Sequence, residues 1–498
     1  MAPPTVTAVP GSASDKTMVS FDGTRIRLHW FPVTGASAAH PAPTVLMGPG
    51  WGSGGDTNVT PSGGGEGVFG ALSIDGLHAH GYNVLTWDPR GFGVSSGTVT
   101  IDDPQREGRD VERMLDWIAT QPGVELDRPG DPRVGMAGGS YGGGIQLVVA
   151  GIDCRVDAIV PWIAWNSLGT SLYKSGVAKT GWGNLLYGIA ASRNLDPHIR
   201  SAWRASNTVG AISAADHAWF VSHGPGAAID KVDVPTLFVQ GTVDTLFTLD
   251  EAITNYHSLR NRNVPTAMLW YCGGHGVCLT PQGDAGAPNR DTLAWLDHYL
   301  QHKAVDLGPR FSMVDQRGVT YTASDYPVDT HASFGAVVHG TLNLVASGGS
   351  GPATTKGSKD QLAGVAGGIT PARATNAVNV TVVGDHNGTV IAGAPTVQLA
   401  YSGTAPAGTR PTAVFGQLVD DTTGLVVGNQ VTPIPLALDG KQHSLTVPLE
   451  TIAFTLENGA RLTLQIVATT VAYATPRLGG KVTMRVSLHL PESTLTPR

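Results

Sequence analysis

The sequence predicts an α/β fold, a mostly parallel sheet with helices on both faces, that carries a helical insertion and is followed by a β-sandwich. Three observations predict it. Over the first three hundred residues, apolar runs of strand length alternate with segments of helical periodicity, which places helices on both faces of a parallel sheet. The alternation breaks once, after the run "VDAIVPWIAW", and then resumes. Beyond about Gly308 the texture changes: from His331 to Ala400 only five residues are charged (Lys356, Lys359, Asp360, Arg373, Asp385), and short Thr/Val/Gly/Ser-rich runs follow one another.

The elements follow in order. In "SFDGTRIRLHWFPV", Ile26, Leu28 and Trp30 alternate with Arg25, Arg27 and His29 after an Asp22-Gly23 turn, the pattern of a strand with one buried face. Thr44 to Met47 and Tyr82 to Trp87 are apolar on both faces, as covered parallel strands are. "DVERMLDWIATQPG" sets Val111, Met114, Leu115 and Ile118 at i, i+3, i+4, i+7 and is stopped near Gly123, which predicts an amphipathic helix. Arg133 to Ala137 is a short strand, and "GGGIQLVVAGI" is apolar all round, so a buried helix is expected there. After the strand from Val156 comes the helical insertion, 167–231, then the strand "VPTLFVQG", a helix near Leu249 to Leu259, the strand "AMLWYCGG" and the helix "RDTLAWLDHYLQHK". "NAVNVTVVG", "TVQLAY" and "RLTLQIVA" are strands of the sandwich. The expected division is a flexible N-terminus over 1–16, an α/β unit over 17–305 that includes the insertion, and the sandwich over 306–498.

A chain of 498 residues exceeds the size, about 250–300 residues, at which a single core stops growing. With a net charge of −7 and no basic run, nucleic acid is not an expected partner. No apolar stretch approaches the length of a membrane span, and the start "MAPPTVTAVPGSASDKT" lacks a basic and an apolar export region. Three cysteines, Cys154, Cys272 and Cys278, make no disulfide scaffold. A cytoplasmic, reducing compartment is the expectation, with an exported mature form as the alternative.

Two stretches match G-x-S-x-G, Gly138 to Gly142 around Ser140 and Gly93 to Gly97 around Ser95, and in a chain with 65 glycines the pattern alone decides nothing. Context decides. Ser140 sits between a strand and a helix, as an exposed nucleophile on a sharp turn requires, whereas Ser95 is followed by the extended, proline-stopped "GTVTIDDPQ". A serine hydroxyl needs a base to take its proton and a third group to orient that base. Asp244 lies just past the strand ending at Gly241 and His275 just past the next, so both project from one edge of the sheet, and the order Ser140, Asp244, His275 completes a triad. The competitor Asp250 is expected to cap the helix that follows, and Asp88 and Arg90 to brace the loop beneath the site. Cys272, His275 and Cys278 form C-x2-H-x2-C, but no distant second ligand pair completes a zinc set, so neither metal nor other cofactor is expected. The two cysteines are expected as free thiols in a reducing compartment, or as a local disulfide in an exported protein.

With "GGSYGG" at the turn, "DPRGFGVSSG" from Asp88, "QGTVDTLF" around the acid, "GGHG" at the base and "ENGARLTLQIVATTVAYATP" near the C-terminus, the chain resembles the α/β-hydrolase superfamily. Within it, the likeness is to the X-Pro dipeptidyl-peptidase and cocaine esterase family of serine hydrolases. The resemblance implies a helical cap over the site, a C-terminal jelly-roll domain, and hydrolysis of an ester, amide or peptide through an acyl-enzyme on Ser140. It also implies an oxyanion hole from the backbone N–H groups of Tyr141 and Trp51; where cocaine-esterase-like members offer a tyrosine hydroxyl, this sequence has the tryptophan. The narrower alternative, an X-Pro dipeptidyl-peptidase, needs an acidic residue for the substrate's free amine, and Asp56 and Glu66 are the candidates. An alternative of another class is a non-catalytic protein whose sandwich binds carbohydrate or a partner. Nothing in the sequence speaks to oligomeric state.

Overall fold

The computed structural model describes residues 3–59, 73–353, 366–384 and 388–498. Among them, twelve strands form one sheet, in the spatial order Val6–Ala8, Asp15–Val19, Arg25–Phe31, Asn83–Trp87, Thr44–Met47, Val134–Gly139, Ala158–Trp162, Thr236–Gly241, Thr266–Tyr271, Phe311–Val314, Thr320–Ala323 and Thr496–Pro497. The middle of the sheet, from Asn83–Trp87 to Phe311–Val314, is parallel throughout. Its strands are buried at nearly every position because helices cover both faces. Glu107–Ile118, Tyr141–Ala150 and Leu249–Asn261 pack on one side, around Met114, Leu147 and Tyr256. Ile74–Ala79 and Ala287–Gln301 pack on the other, around Leu77, Trp295 and Leu300.

Between Ala158–Trp162 and Thr236–Gly241 the chain builds four α-helices, Leu168–Leu172, Thr180–Ala190, Pro197–Val209 and Ala214–Val221, with a small hairpin of Tyr173–Lys174 and Val177–Ala178. The longest starts and stops by local chemistry. Asp196 caps Pro197–Val209 by accepting from the His198 N–H, and Gly210 ends it at φ 76°. The insertion has its own apolar core, with Trp165, Leu168, Trp182, Ile199 and Phe220, and this core also takes in Tyr141 and Phe247 from the end of the sheet. The insertion therefore sits over that end.

The C-terminal part is antiparallel. One four-stranded sheet runs Thr330–Asn343, Lys481–Ser493, Thr396–Thr404, His443–Pro448, and the other Ala377–Val383, Arg461–Val467, Ala413–Asp420, Thr432–Pro435. A shared core, including Leu399, Leu464 and Met484, lies between them.

Four expectations change. The stretch expected as a flexible lead-in is not free over its described part, because Val6–Ala8 pairs with Lys16 to Met18 through a local turn. The large sheet also does not end near residue 305. Phe311–Val314 and Thr320–Ala323 extend it, and Phe311, Met313 and Tyr326 fill its core, so about twenty residues expected in the sandwich belong to the sheet. Asp250 caps no helix: the N-cap is Thr248, and the Asp250 carboxylate accepts from Thr451 Oγ1 at 2.5 Å and pairs with Lys174 at 3.4 Å. In Arg25–Phe31 the alternation fails at His29, which is buried and faces Asp15 at 2.8 Å and Asp88 at 3.3 Å.

Candidate active site

Ser140 stands at the turn between the strand Val134–Gly139 and the helix Tyr141–Ala150, with φ 56° and ψ −117°. A residue bearing a Cβ rarely adopts that conformation, and here flanking hydrogen bonds impose it: Ser140 N–H donates to Trp162 O, and Ser140 O accepts from Gly143 and Gly144. Two glycines of the motif are steric necessities. A Cβ on Gly142 would lie 2.1 Å from Gly48 O and one on Gly138 2.8 Å from the same atom, so only glycines let the turn press against the loop after Thr44–Met47. Ser95 is occupied otherwise. Its hydroxyl donates to Asp88 O at 2.7 Å and accepts from Arg27 N–H at 2.8 Å.

The structure brings Ser140, His275 and Asp244 together. His275 Nε2 is 2.8 Å from Ser140 Oγ, and His275 Nδ1 is 2.7 Å from Asp244 Oδ2. All three are buried, Asp244 completely. Asp244 keeps its other oxygen on the N–H groups of Leu246 at 3.0 Å and Phe247 at 2.8 Å, which fixes the carboxylate before it meets the imidazole. Trp182 from the cap and Phe247 set ring edges against His275 at 5.6 and 5.1 Å. Cys272 and Cys278 are joined in a disulfide across the loop that carries His275, and with both imidazole nitrogens facing Asp244 and Ser140, all three residues of the C-x2-H-x2-C pattern are accounted for.

The backbone N–H of Tyr141, at the first position of its helix, and that of Trp51 have no acceptor among the described residues. Both residues line the cavity that holds Ser140. The Trp51 indole N–H is used elsewhere, donating to Leu186 O in the cap at 2.9 Å, so this side chain ties the loop to the cap.

That cavity, of about 110 Å³, lies between the cap and the end of the sheet. Its walls are mainly apolar, with Trp165, Leu172, Tyr187, Ile199, Trp203 and Phe247 prominent. The single charged residue among the described lining is Lys179. Lys179 Nζ donates to the carbonyls of Thr245 at 3.1 Å and Leu246 at 3.0 Å, and burial pushes its pKa down to about 8. No motif announced Lys179, since its partners are main-chain atoms far along the chain. Asp56 lies outside this lining: it is exposed, its carboxylate turns back to Asn58 N–H at 2.8 Å, and it borders another cavity with Ser53 and Trp162. Glu66 lies outside the described residues. Beneath the site, Asp88 accepts from Gly55 and Val94 N–H, and Arg90 grips Asp110 through two nitrogens at 2.8 and 2.7 Å, the bracing expected of both.

Residues 22–276 match the sequence pattern of the X-Pro dipeptidyl-peptidase (S15 family). A polyketide transferase from a Penicillium species is 26% identical over 299 residues, 59% of this chain and 87% of that protein. Among solved structures, a CocE/NonD family hydrolase from Staphylococcus aureus superposes with a TM-score of 0.70 at 12% identity, covering 96% of this chain and 93% of its own. An alpha-amino acid ester hydrolase superposes at 0.67 and 15% identity, covering 99% and 98%. The fold is therefore shared end to end, cap and C-terminal sheets included. The chain belongs to the X-Pro dipeptidyl-peptidase (S15) family and is a serine hydrolase with the α/β-hydrolase fold.

Proposed function

We propose that this hydrolase cleaves esters of uncharged, apolar acids, with Ser140 as nucleophile, His275 as general base and acid, and Asp244 as the group that orients His275. The observation that carries the reading is a buried Ser140–His275–Asp244 chain of contacts at 2.8 and 2.7 Å opening on a pocket whose described walls hold no carboxylate. Ser140 Oγ attacks the ester carbonyl carbon as its proton passes to His275 Nε2. The carbonyl π pair moves onto oxygen, where the Tyr141 and Trp51 N–H groups receive it. Collapse expels the alcohol, which takes the proton from His275. Water, deprotonated by the same nitrogen, then releases the acid and restores Ser140. Asp244 stays ionised and favours the transient imidazolium.

Release of X-Pro dipeptides needs a carboxylate to hold a protonated amine, since a charge brought into an apolar cavity without a partner is costly. The absence of Asp or Glu from the described lining, and the position of Asp56 outside it, support ester over dipeptide substrates. An inert binding protein would have no use for a strained, histidine-paired serine. The deciding experiment compares kcat/KM for p-nitrophenyl butyrate and an Ala-Pro anilide on one preparation. A clear preference for the butyrate is expected, and a preference for the anilide overturns the substrate assignment. The Cys272–Cys278 disulfide supports the exported alternative for localisation, because disulfides persist in oxidising compartments. No helix among the described residues is long and apolar enough to cross a membrane.

A further inference from the structure

We propose that the C-terminal sandwich sets the geometry of the catalytic acid and base, with Asn429 and Gln430 as positioning residues that hold the Asp244 and His275 loops in register. The inference rests on the roles given above to Ser140, His275 and Asp244. Gln430 Nε2 donates to the main-chain oxygen of Asp244 itself at 2.8 Å. Its neighbour Asn429 donates through Nδ2 to the carbonyl of Val277, two residues past His275, at 3.0 Å. Two adjacent amides of one turn therefore each hold one of the two loops that must meet. Both side chains are buried, at 5% and 6% exposure, and neither lines the substrate cavity.

The turn is built to hold them. Val427–Asn429 is a short helical turn in which Gly428 and Asn429 take φ 61° and 55°, and Val427 anchors it in the sandwich core. A Cβ on Gly428 would stand 2.9 Å from Thr242 O, so the turn lies directly against the chain leading to Asp244. On the other side, a Cβ on Gly276 would stand 1.8 Å from Val243 O and 3.5 Å from Asn429 Nδ2. The acid loop, the base loop and the sandwich turn are in close contact there. A second tie runs further along the acid loop, where Thr248 Oγ1 donates to Glu450 Oε2 at 2.9 Å.

The acid and base arise from the ends of two different strands, and a displacement of about 1 Å between reacting groups can cost up to about a hundredfold in rate. A clamp that touches only main-chain oxygens acts through Asp244 and His275 and leaves substrate binding alone. Its loss lowers kcat without raising KM.

The test uses the full chain and p-nitrophenyl butyrate. Gln430→Met keeps the bulk and removes the donor; Asn429→Asp keeps the shape and tolerance for positive φ and, in its ionised form, removes the donor, so it is assayed at alkaline pH. Gln417→Met is the control, because Gln417 is buried in the same sandwich and donates to Ala372 O at 3.0 Å, away from both loops. The expected result is a fall in kcat of about tenfold for each clamp variant with KM within about twofold, and an unchanged kcat for Gln417→Met even where its Tm drops. In an Asp244→Asn background, Gln430→Met is expected to add less than about twofold, since coupled residues are non-additive. Wild-type kcat in folded Gln430→Met and Asn429→Asp overturns the proposal, as does an undiminished effect of Gln430→Met without Asp244. If either variant fails to fold, Asn429→Gly removes the amide while accepting the backbone angle, and its rate of fluorophosphonate labelling is read in place of kcat, with the same outcomes. Persistent hydrolysis by Ser140→Ala overturns the site reading, and this inference with it; loss in Ser140→Ala together with unimpaired clamp variants overturns the positioning role alone.

Discussion

Ser140 and Ser95 carry the same five-residue pattern and differ in what their hydroxyls face. Ser140 Oγ meets an imidazole at 2.8 Å on a strained backbone, while Ser95 Oγ is spent on two main-chain partners. Ser140→Ala is expected to abolish fluorophosphonate labelling and to cut kcat at least about a thousandfold, the residue of activity coming from binding and the oxyanion donors. Ser95→Ala is expected to label normally and to lose about 1 kcal/mol of stability with its hydrogen bonds, read as a lower Tm. Lys179 offers a pH test at the same scale. Its pKa falls to about 8 in the folded protein, from the ordinary lysine value of about 10.4, because burial penalises the ammonium. Between those values the unfolded chain holds the proton more firmly than the folded one, so unfolding takes up protons and stability rises with pH across that window. Below about 8 the buried charge weighs against the fold. The gain is of order 3 kcal/mol at about 1.4 kcal/mol per pH unit. Thermal unfolding of wild type from pH 7.5 to 10.5 is expected to show this rise relative to Lys179→Met; parallel curves would remove Lys179 as its source.

At the scale of elements, the loop bearing His275 is closed by the Cys272–Cys278 disulfide and pressed against the acid loop at Gly276. Closing so short a loop removes freedom from the unfolded chain worth about 2 kcal/mol. Cys154 is the remaining cysteine, free and exposed, so iodoacetamide is expected to find one thiol before denaturing reduction and three after it. Reduction of the native protein is expected to lower Tm and kcat together, both recovering on reoxidation. Three reactive thiols in the untreated protein would refute the pairing. The cap acts on the other loop: Trp182 Nε1 donates to Thr245 Oγ1 at 3.0 Å, and Lys179 holds the carbonyls of Thr245 and Leu246, so the element that walls the pocket also steadies Asp244.

At the scale of the whole molecule, the large sheet reaches into the C-terminal third of the chain. Phe311–Val314 pairs in parallel with Thr266–Tyr271, and Thr496–Pro497, almost the last residues, pairs with Thr320–Ala323. We take the division between the two units to fall after about Val328, the last residue in that stretch to pack in the sheet's core. A chain cut after residue 305 loses Phe311, Met313, Tyr321 and Tyr326 from this core and leaves an unpaired parallel strand edge, so it is expected to be insoluble or unfolded by circular dichroism. A soluble, cooperatively folding 1–305 would show that the sheet needs neither strand.

The order of strands and helices, the insertion and the change to β-structure were legible because periodicity, turn residues and charge are local properties of the chain. So was the convergence of Ser140, Asp244 and His275, which lie at or just past the ends of parallel strands, where the topology alone brings loops to one edge. Asp250, His29, Lys179 and the pair Asn429–Gln430 were decided by tertiary contact. Asp250 lies near a helix start, as caps do, yet its carboxylate answers to Lys174 and Thr451, the latter two hundred residues away in sequence. Val6–Ala8 has no alternation to mark it and is a strand because Asp15–Val19 offers it an edge. Asn429 and Gln430 belong to no sequence motif, and nothing local says that their amides end on main-chain oxygens 152 and 186 positions earlier. Local patterning along the chain set the main strands and helices and the three side chains that crown them. Only the packing of distant segments decided what holds those three in place, because a hydrogen bond to a backbone oxygen leaves no signature in the identity of the residue that accepts it.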